Sequence, residues 1–267
     1  IDFQDRPVRV TPLEYNGFFK WLNNKSEGIP GYITVDMPTG ETTLHKLDKN
    51  IKYSKSDRFG RDIARHLTKQ YPTKIFYQAS FEVDEEGNPY WIAPTYKKTI
   101  GIFGGEDVDA VLVANAITGE TKEYELDEVP TWIDRVYDAD KIIRQIDNWG
   151  TLENGCINNM FSQKGVLKST KGYNYLAIND DVFLYTGITS ASKDNSNVGF
   201  MLTNLRTKET KFYEISSADE YSAMESAKGE VQEKEYKSTF PILLNINNKP
   251  TYMMALKDNA ELIKAYA

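Results

Sequence analysis

One short element recurs three times along the chain and narrows the architectures open to it. Val35-Asp36-Met37-Pro38-Thr39-Gly40-Glu41-Thr42 is matched by Ala114-Asn115-Ala116-Ile117-Thr118-Gly119-Glu120-Thr121, and a looser copy reads Thr203-Asn204-Leu205-Arg206-Thr207-Lys208-Glu209-Thr210. The defining positions are Thr39, Gly40 and Glu41, then Thr118, Gly119 and Glu120, then Thr207 and Glu209, with the glutamates 79 and 89 residues apart. An apolar run precedes each copy, Tyr32 to Val35, Val111 to Val113 and Phe200 to Leu202, and an alternating run follows. Each copy therefore reads as a β-hairpin. Glycine supplies the positive φ that reverses the chain, and the Thr and Asx oxygens cap the turn amides. Lys208 stands where the other copies have Gly, so it must accept strain or alter the turn.

Amphipathic helices keep step with these hairpins. Thr11, Pro12 and Glu14 form a capping box that opens a first helix carrying Phe18, Phe19, Trp21 and Leu22. From Ser56 to Tyr71 the residues Phe59, Ile63, Leu67 and Tyr71 fall at steps of four, and Pro72 ends the run. A third helix, Thr131 to Trp149, places Trp132, Val136, Ala139, Ile143 and Ile146 on one face with Gly150 as its cap, and a fourth runs from Ser217 to Lys228. In the fourth, Ser217 and Glu220 form a capping box, Tyr221 and Met224 face inward and Gly229 closes it. Asp258 to Ala267 reads as an N-capped helix with Leu262, Ile263 and Tyr266 on one side.

Hairpins are also expected over Ser80 to Thr95 around Asp84-Glu85-Glu86-Gly87-Asn88-Pro89, over Val166 to Ile178 around Lys171-Gly172, and over Phe240 to Leu256 around Asn247-Asn248-Lys249-Pro250. The order hairpin, helix, hairpin predicts an α+β fold of antiparallel hairpins or sheets, each covered by a helix and repeated in tandem. The corresponding division is 1–50 for the first helix and first repeat hairpin, 51–150 for one helix and sheet repeat, and 151–267 for a second, truncated at its C-terminus.

The segment Tyr32 to Thr42, its partner Val111 to Thr121 and the weaker third copy resemble the PepSY domain. That resemblance implies a small non-enzymatic module associated with regulation of peptidases and with cell-envelope proteins. Pro30 to Asp36, Pro-Gly-Tyr-Ile-Thr-Val-Asp, is similar to a segment of large membrane-anchored bacterial proteins of unassigned function. Both resemblances imply an extracytoplasmic location, attached to the cell membrane through an anchor outside this segment. Ile1 as first residue and an interrupted last helix fit a piece of a longer chain.

Charge and composition exclude several classes. Lys and Arg number 32 against 39 Asp and Glu, a net charge of −7, so no basic field steers the whole chain onto nucleic acid. No apolar run reaches the roughly 18 residues that cross a bilayer, and one cysteine, Cys156, allows no internal disulfide. His45 and His66 are the only histidines; neither has a second ligand at metal-binding spacing, so His66 reads as a packed helix residue and His45 as a solvated strand residue. Cys156 reads as a small buried apolar residue. Nucleophile elbows, phosphate loops and zinc motifs are missing from the sequence, so catalytic, cofactor and metal residues are all expected to be none.

Three weaker signals remain. Asp84-Glu85-Glu86, Glu106-Asp107-Val108-Asp109 and Asp180-Asp181 lack calcium-loop spacing and read as solvated turns. Thr186 to Asn197 is a polar stretch between apolar runs, suited to a hairpin connection or a binding loop, and 17 Tyr, 12 Phe and 4 Trp are enough to furnish an interface. The expected function is a non-enzymatic binding or scaffolding module whose partner is another protein or the missing segments of its own chain, with membrane contact only through the absent anchor. The alternatives are a cell-wall or peptide hydrolase using Glu106 and Asp109, and a structural subunit of a surface or virion assembly.

Overall fold

Period-two alternation dominates the chain, and the computed structural model is accordingly built mostly of β-strands. It describes residues 3, 6–37, 39–100, 104–153, 165–178, 181–190, 196–231, 234–247, 249–260 and 262–267. The chain divides into two units, one formed by Ile1–Tyr137 with Asn179–Asp181 and the other by Asp138–Ile178 with Val182–Ala267.

In the first unit, β1 (Val8–Pro12), β2 (Ile29–Asp36) and β3 (Thr42–Ile51) make an antiparallel sheet in that order. Helix α1 (Phe18–Asn24) joins β1 to β2, and α2 (Ile63–Gln70) follows β3. A four-stranded meander follows: β4 (Ser80–Val83), β5 (Pro89–Ile100), β6 (Gly104–Asn115) and β7 (Thr121–Glu125). The meander is apolar on both faces. Phe81, Val83, Trp91, Ala93, Leu112 and Ala114 join Tyr32 and Ile51 of the first sheet and Ile63 and Leu67 of α2 in one core. Ile92, Tyr96, Val108, Val111 and Val113 form the second core with Ile133 and Val136. Lys52 and Tyr53 both donate their amides to the Ala116 carbonyl, at 2.9 and 3.0 Å, which stitches the end of β3 to the β6–β7 turn.

In the second unit, α3 (Ala139–Leu152) lies on β8 (Leu167–Ser169): Gly150 approaches the Leu167 carbonyl too closely to leave room for a side chain, and Asp147 accepts from the Ser169 amide at 2.7 Å. β10 (Asp181–Ser190), β11 (Ser196–Asn204) and β12 (Thr210–Ala218) form a meander whose free edge, on β10, is shared by β8 and by β9 (Asn174–Ile178). After α4 (Glu220–Glu230) come β13 (Lys237–Ser238), the hairpin of β14 (Ile242–Ile246) with β15 (Lys249–Met253), and β16 (Ala255–Lys257) with β17 (Ile263–Tyr266).

The tandem pattern of helix-covered α+β sheets is not what forms. The described residues make five separate antiparallel sheets, and the second face of the β4–β7 meander is covered by the irregular 126–137 segment instead of a helix. The third helix starts at Ala139, because Asp138 caps it by accepting from the Asp140 amide at 2.9 Å while Ile133 and Val136 are spent covering the sheet.

The other helix boundaries shift for equally local reasons. Thr11 and Pro12 end the edge strand β1, where a missing N–H costs no ladder bond, so the capping box is absent and Gly17 precedes α1. Phe59 leaves the helix stripe and is exposed in a 3-10 turn, while Asp62 caps α2 through the Arg65 amide. Ser217 pairs with Asn197 in β12, Asp219 caps α4 instead, and Gly229 lies inside its last turn. Val166 to Ile178 is not a hairpin, since β8 and β9 both pair with β10. The final helix is a strand, and Asp258 caps the β16–β17 turn by accepting from Ala260 and Leu262.

The three repeat copies adopt one turn. In each, the Asx residue donates its amide to the Glu carbonyl and accepts from the residue four positions on: Asp36 with Glu41 and Gly40, Asn115 with Glu120 and Gly119, Asn204 with Glu209 and Lys208, all at 2.8 to 2.9 Å. The Asx side-chain oxygen takes the Thr39, Thr118 and Thr207 amides at 2.8, 3.0 and 3.0 Å, and each Thr hydroxyl takes the following Glu amide at 3.2 to 3.3 Å. The αL position has φ of 73° at Gly40, 77° at Gly119 and 66° at Lys208, so the third copy keeps the turn and accepts the strain. Lys208→Gly is therefore expected to raise stability by about 0.5–1 kcal/mol. Gly119→Ala is expected to lower it by about 2 kcal/mol or more, since its Cβ would lie 2.3 Å from the Tyr53 ring. Denaturant melts of both variants check the pair.

Candidate functional site

In the first unit, α1 is clamped to the loop between β3 and α2, and a cleft opens at the join. Trp21 is buried and its Nε1 donates to Asp57 Oδ1 at 2.7 Å; Asp57 in turn accepts from the Arg58 amide and donates its own amide to Ser54 Oγ. The Tyr15 amide donates to Ser56 Oγ at 3.1 Å, and the Arg61 guanidinium donates to the Lys25 carbonyl at the other end of α1. The cleft that remains measures about 420 Å³ and is lined by Tyr15, Lys55, Arg58, Phe59 and Arg65, with Asp57 and Asp62 behind them.

Three cations, Lys55, Arg58 and Arg65, face two carboxylates, Asp57 and Asp62, in this cleft. Both acids are already engaged: Asp57 holds the Trp21 indole, and Asp62 caps α2 by accepting the Arg65 amide at 2.9 Å. Arg58 lies over the Phe18 and Trp21 rings at 5.4 and 5.9 Å, and the Lys55 ammonium over the Trp91 ring at 5.5 Å. Burial, with the Asp57 charge behind it, pushes the Tyr15 phenol up, so it keeps its proton. Beside the cleft an aromatic run extends from Trp21: Phe18 and Phe59 lie against its ring at 5.6 and 5.9 Å and Phe19 against Phe18 at 5.7 Å, with Phe19 77% and Phe59 68% exposed. Phe59 has φ 55°, which for an aromatic residue is a strained backbone.

The sequence-derived candidates fall elsewhere. Thr39, Gly40, Glu41, Thr118, Gly119, Glu120, Thr207 and Glu209 build the three hairpin turns, in three different sheets, with all three Glu side chains exposed. Glu106 is paired with Lys98 and accepts from Tyr77 at 2.7 Å, while Asp109 is paired with Lys97 at 3.2 Å and Lys74 at 3.4 Å. The hydrogen bonds from Lys97 and then Lys74 outweigh partial burial and hold the Asp109 carboxyl below the usual range, the opposite of what a general acid needs. Asp84 organises its turn by accepting from the Glu86 and Asn88 amides.

His66 bonds the Gly119 carbonyl at 2.7 Å and packs on Tyr53; His45 bonds Thr34 Oγ1 at 2.8 Å and stacks on Tyr32, half-buried where a solvated ring was expected. Thr186 and Asn197, the ends of the polar stretch, are buried strand residues. Cys156, Asp180 and residues 191–195 lie outside the described residues.

Two buried carboxyl sites escaped sequence reasoning. Glu82 is 1% exposed between Phe81 and Val83, and Asp134, 3% exposed, donates its amide to Glu82 Oε2 at 3.2 Å. Burial, reinforced by the Asp134 charge, pushes the Glu82 carboxyl up to about 7. The only signal was a Glu in a strand that is covered on both faces. In the second unit Glu220 is fully buried and accepts from the Tyr185 hydroxyl at 3.3 Å; its carboxyl occupies the space where a Cβ on Gly187 would sit, so residue 187 must be glycine. Nearby, Asn197 donates to the Tyr252 hydroxyl, whose pKa burial pushes up to about 12. These groups face the interior and tie α4 to its sheet.

Among the described residues no three His, Cys, Asp or Glu side chains gather to hold a metal ion, and no helix is long and apolar enough to cross a membrane. Compared with protein-family models, with curated protein sequences and with solved structures, the chain matches none.

The Glu82 carboxyl makes a definite pH prediction. Its folded pKa lies above the ordinary value, so the stability it allows is fully present below about pH 4.5 and is lost as the pH rises through about 7. Glu82→Gln is expected to flatten this decline and to be the more stable protein at pH 8 by about 2 kcal/mol. Melts of the two proteins at pH 5 and pH 8 measure the difference.

Proposed function

We propose that this chain is a non-enzymatic binding module that recognises another protein through the aromatic rim and cleft of its first unit, as an extracytoplasmic part of a larger bacterial membrane or envelope protein. The observation that carries the reading is Phe59. A left-handed backbone at an aromatic residue costs about 1–2 kcal/mol of strain, and a side chain that stays mostly in water gains little burial to offset it. Such outliers persist where the side chain is used. Phe59 and Phe18 both pack on Trp21, and Arg58 lies over Phe18, a grouping of aromatic residues and Arg of the kind in which interfaces are rich.

The PepSY-like hairpin element supports the extracytoplasmic setting, and the lysine-paired state of Glu106 and Asp109 gives the hydrolase alternative no catalytic pair. A photo-crosslinking residue in place of Phe19 is expected to yield a discrete protein adduct in cells of the source organism. Phe59→Gly on that background is expected to raise the unfolding midpoint while lowering the adduct. Adduct yield no higher than from the same residue at Tyr213, which is also exposed in the second unit, would contradict the reading.

A further inference from the structure

We propose that the cleft bounded by Tyr15, Lys55, Arg58 and Arg65 receives the carboxylate side chain of an acidic peptide segment whose neighbouring apolar residue lies on the exposed Phe18 and Phe59 rings beside it. The inference rests on the binding reading above and names the chemistry of its partner.

Four observations carry it. Among the described residues Lys55, Arg58 and Arg65 form no ion pair, although the chain as a whole is acidic at −7. These three cations line one concavity together with two carboxylates, Asp57 and Asp62, leaving a single unbalanced positive charge, which suits one carboxylate better than a dianion. Tyr15 lines the same cleft, and among the described residues its buried hydroxyl has no hydrogen-bond partner; as a protonated phenol it is a donor. The cations are also set in a concave space of about 420 Å³, a shape that takes a side chain, whereas a lipid surface meets cations on a convex face.

Charge-assisted bonds from guanidinium, ammonium and phenol are roughly twice as strong as neutral ones, so replacing the carboxylate by an amide removes most of the attraction. Arg58 packs on Phe18 and Trp21 and Lys55 lies over Trp91, whereas Arg65 is exposed and lies over no aromatic ring among the described residues, so Arg65→Gln is the substitution that leaves the core packing in place.

The test is calorimetric titration of the whole chain with four probes: a capped peptide Gly-Phe-Glu-Leu-Gly, the same peptide with Gln for Glu, inorganic phosphate, and phosphatidylglycerol vesicles. The Glu peptide is expected to bind about tenfold more tightly than the Gln peptide. Arg65→Gln and Lys55→Gln should each erase that preference, the Glu peptide losing more affinity than the Gln peptide. Equal affinity for the two peptides would overturn the inference while leaving the aromatic rim as a binding surface. Phosphate binding as tightly as the Glu peptide and losing affinity in Arg65→Gln would overturn the peptide partner in favour of a free anion. Vesicle binding without peptide binding would overturn it in favour of a membrane. Binding of none of the four would also overturn it, and the Phe19 adduct in cells then decides separately whether the binding reading stands.

Discussion

A β-sheet with apolar side chains on both faces must be covered on both, and the β4–β7 meander imposes that demand on the whole first unit. One face is met by α2 together with the β1–β3 sheet, through Ile63, Leu67, Tyr32 and Ile51 packing on Phe81, Trp91 and Leu112. Because α2 is drawn in by Ile63 and Leu67, the loop before it is pinned against α1 by Asp57, and the cleft exists where those two elements meet. The other face is met by Ile133 and Val136 from an irregular segment, which brings the Asp134 amide against Glu82 and buries a carboxyl that a one-sided sheet would have left in water. Burying each large apolar side chain is worth about 1.5–3 kcal/mol, enough to outweigh the cost of keeping one carboxyl neutral.

The repeated turn shows how far local chemistry can be read from sequence. An Asx oxygen, a Thr hydroxyl and an αL position satisfy the same amides at Asp36, Asn115 and Asn204, so the turn was legible wherever its residues stood in line. Even Lys208 conforms, because the surrounding hydrogen bonds over-determine its backbone. What the element does not encode is its surroundings: the second copy is clasped by Tyr53 and His66, contacts that come from 53 and more residues away.

The helix boundaries were less legible because caps compete with strands. Thr11-Pro12 and Ser217 carry capping chemistry, yet each sits beside a strand partner, Ile33 and Tyr32 in one case and Asn197 in the other, and pairing wins. The Phe59 to Tyr71 stripe was half legible, with Ile63 and Leu67 buried as the spacing requires. Phe59 departs from it because Asp62 begins the helix one turn later. That departure hid the candidate site, which depends on a strained aromatic, three cations without ion pairs and a buried aspartate brought together from residues 15 to 65. No motif announces such a constellation, whereas Glu106 and Asp109, which looked chemical in sequence, are balanced by lysines folded beside them.

The central claim is that recognition belongs to the clamp between α1 and the loop before α2. Amide hydrogen exchange of the whole chain, with and without the Glu-containing peptide, tests it most directly. The account predicts slowed exchange confined to residues 15–22 and 54–65, where the cleft is built, and unchanged exchange in the second unit. Unchanged exchange across both of those segments, or slowing centred in the second unit, would contradict it.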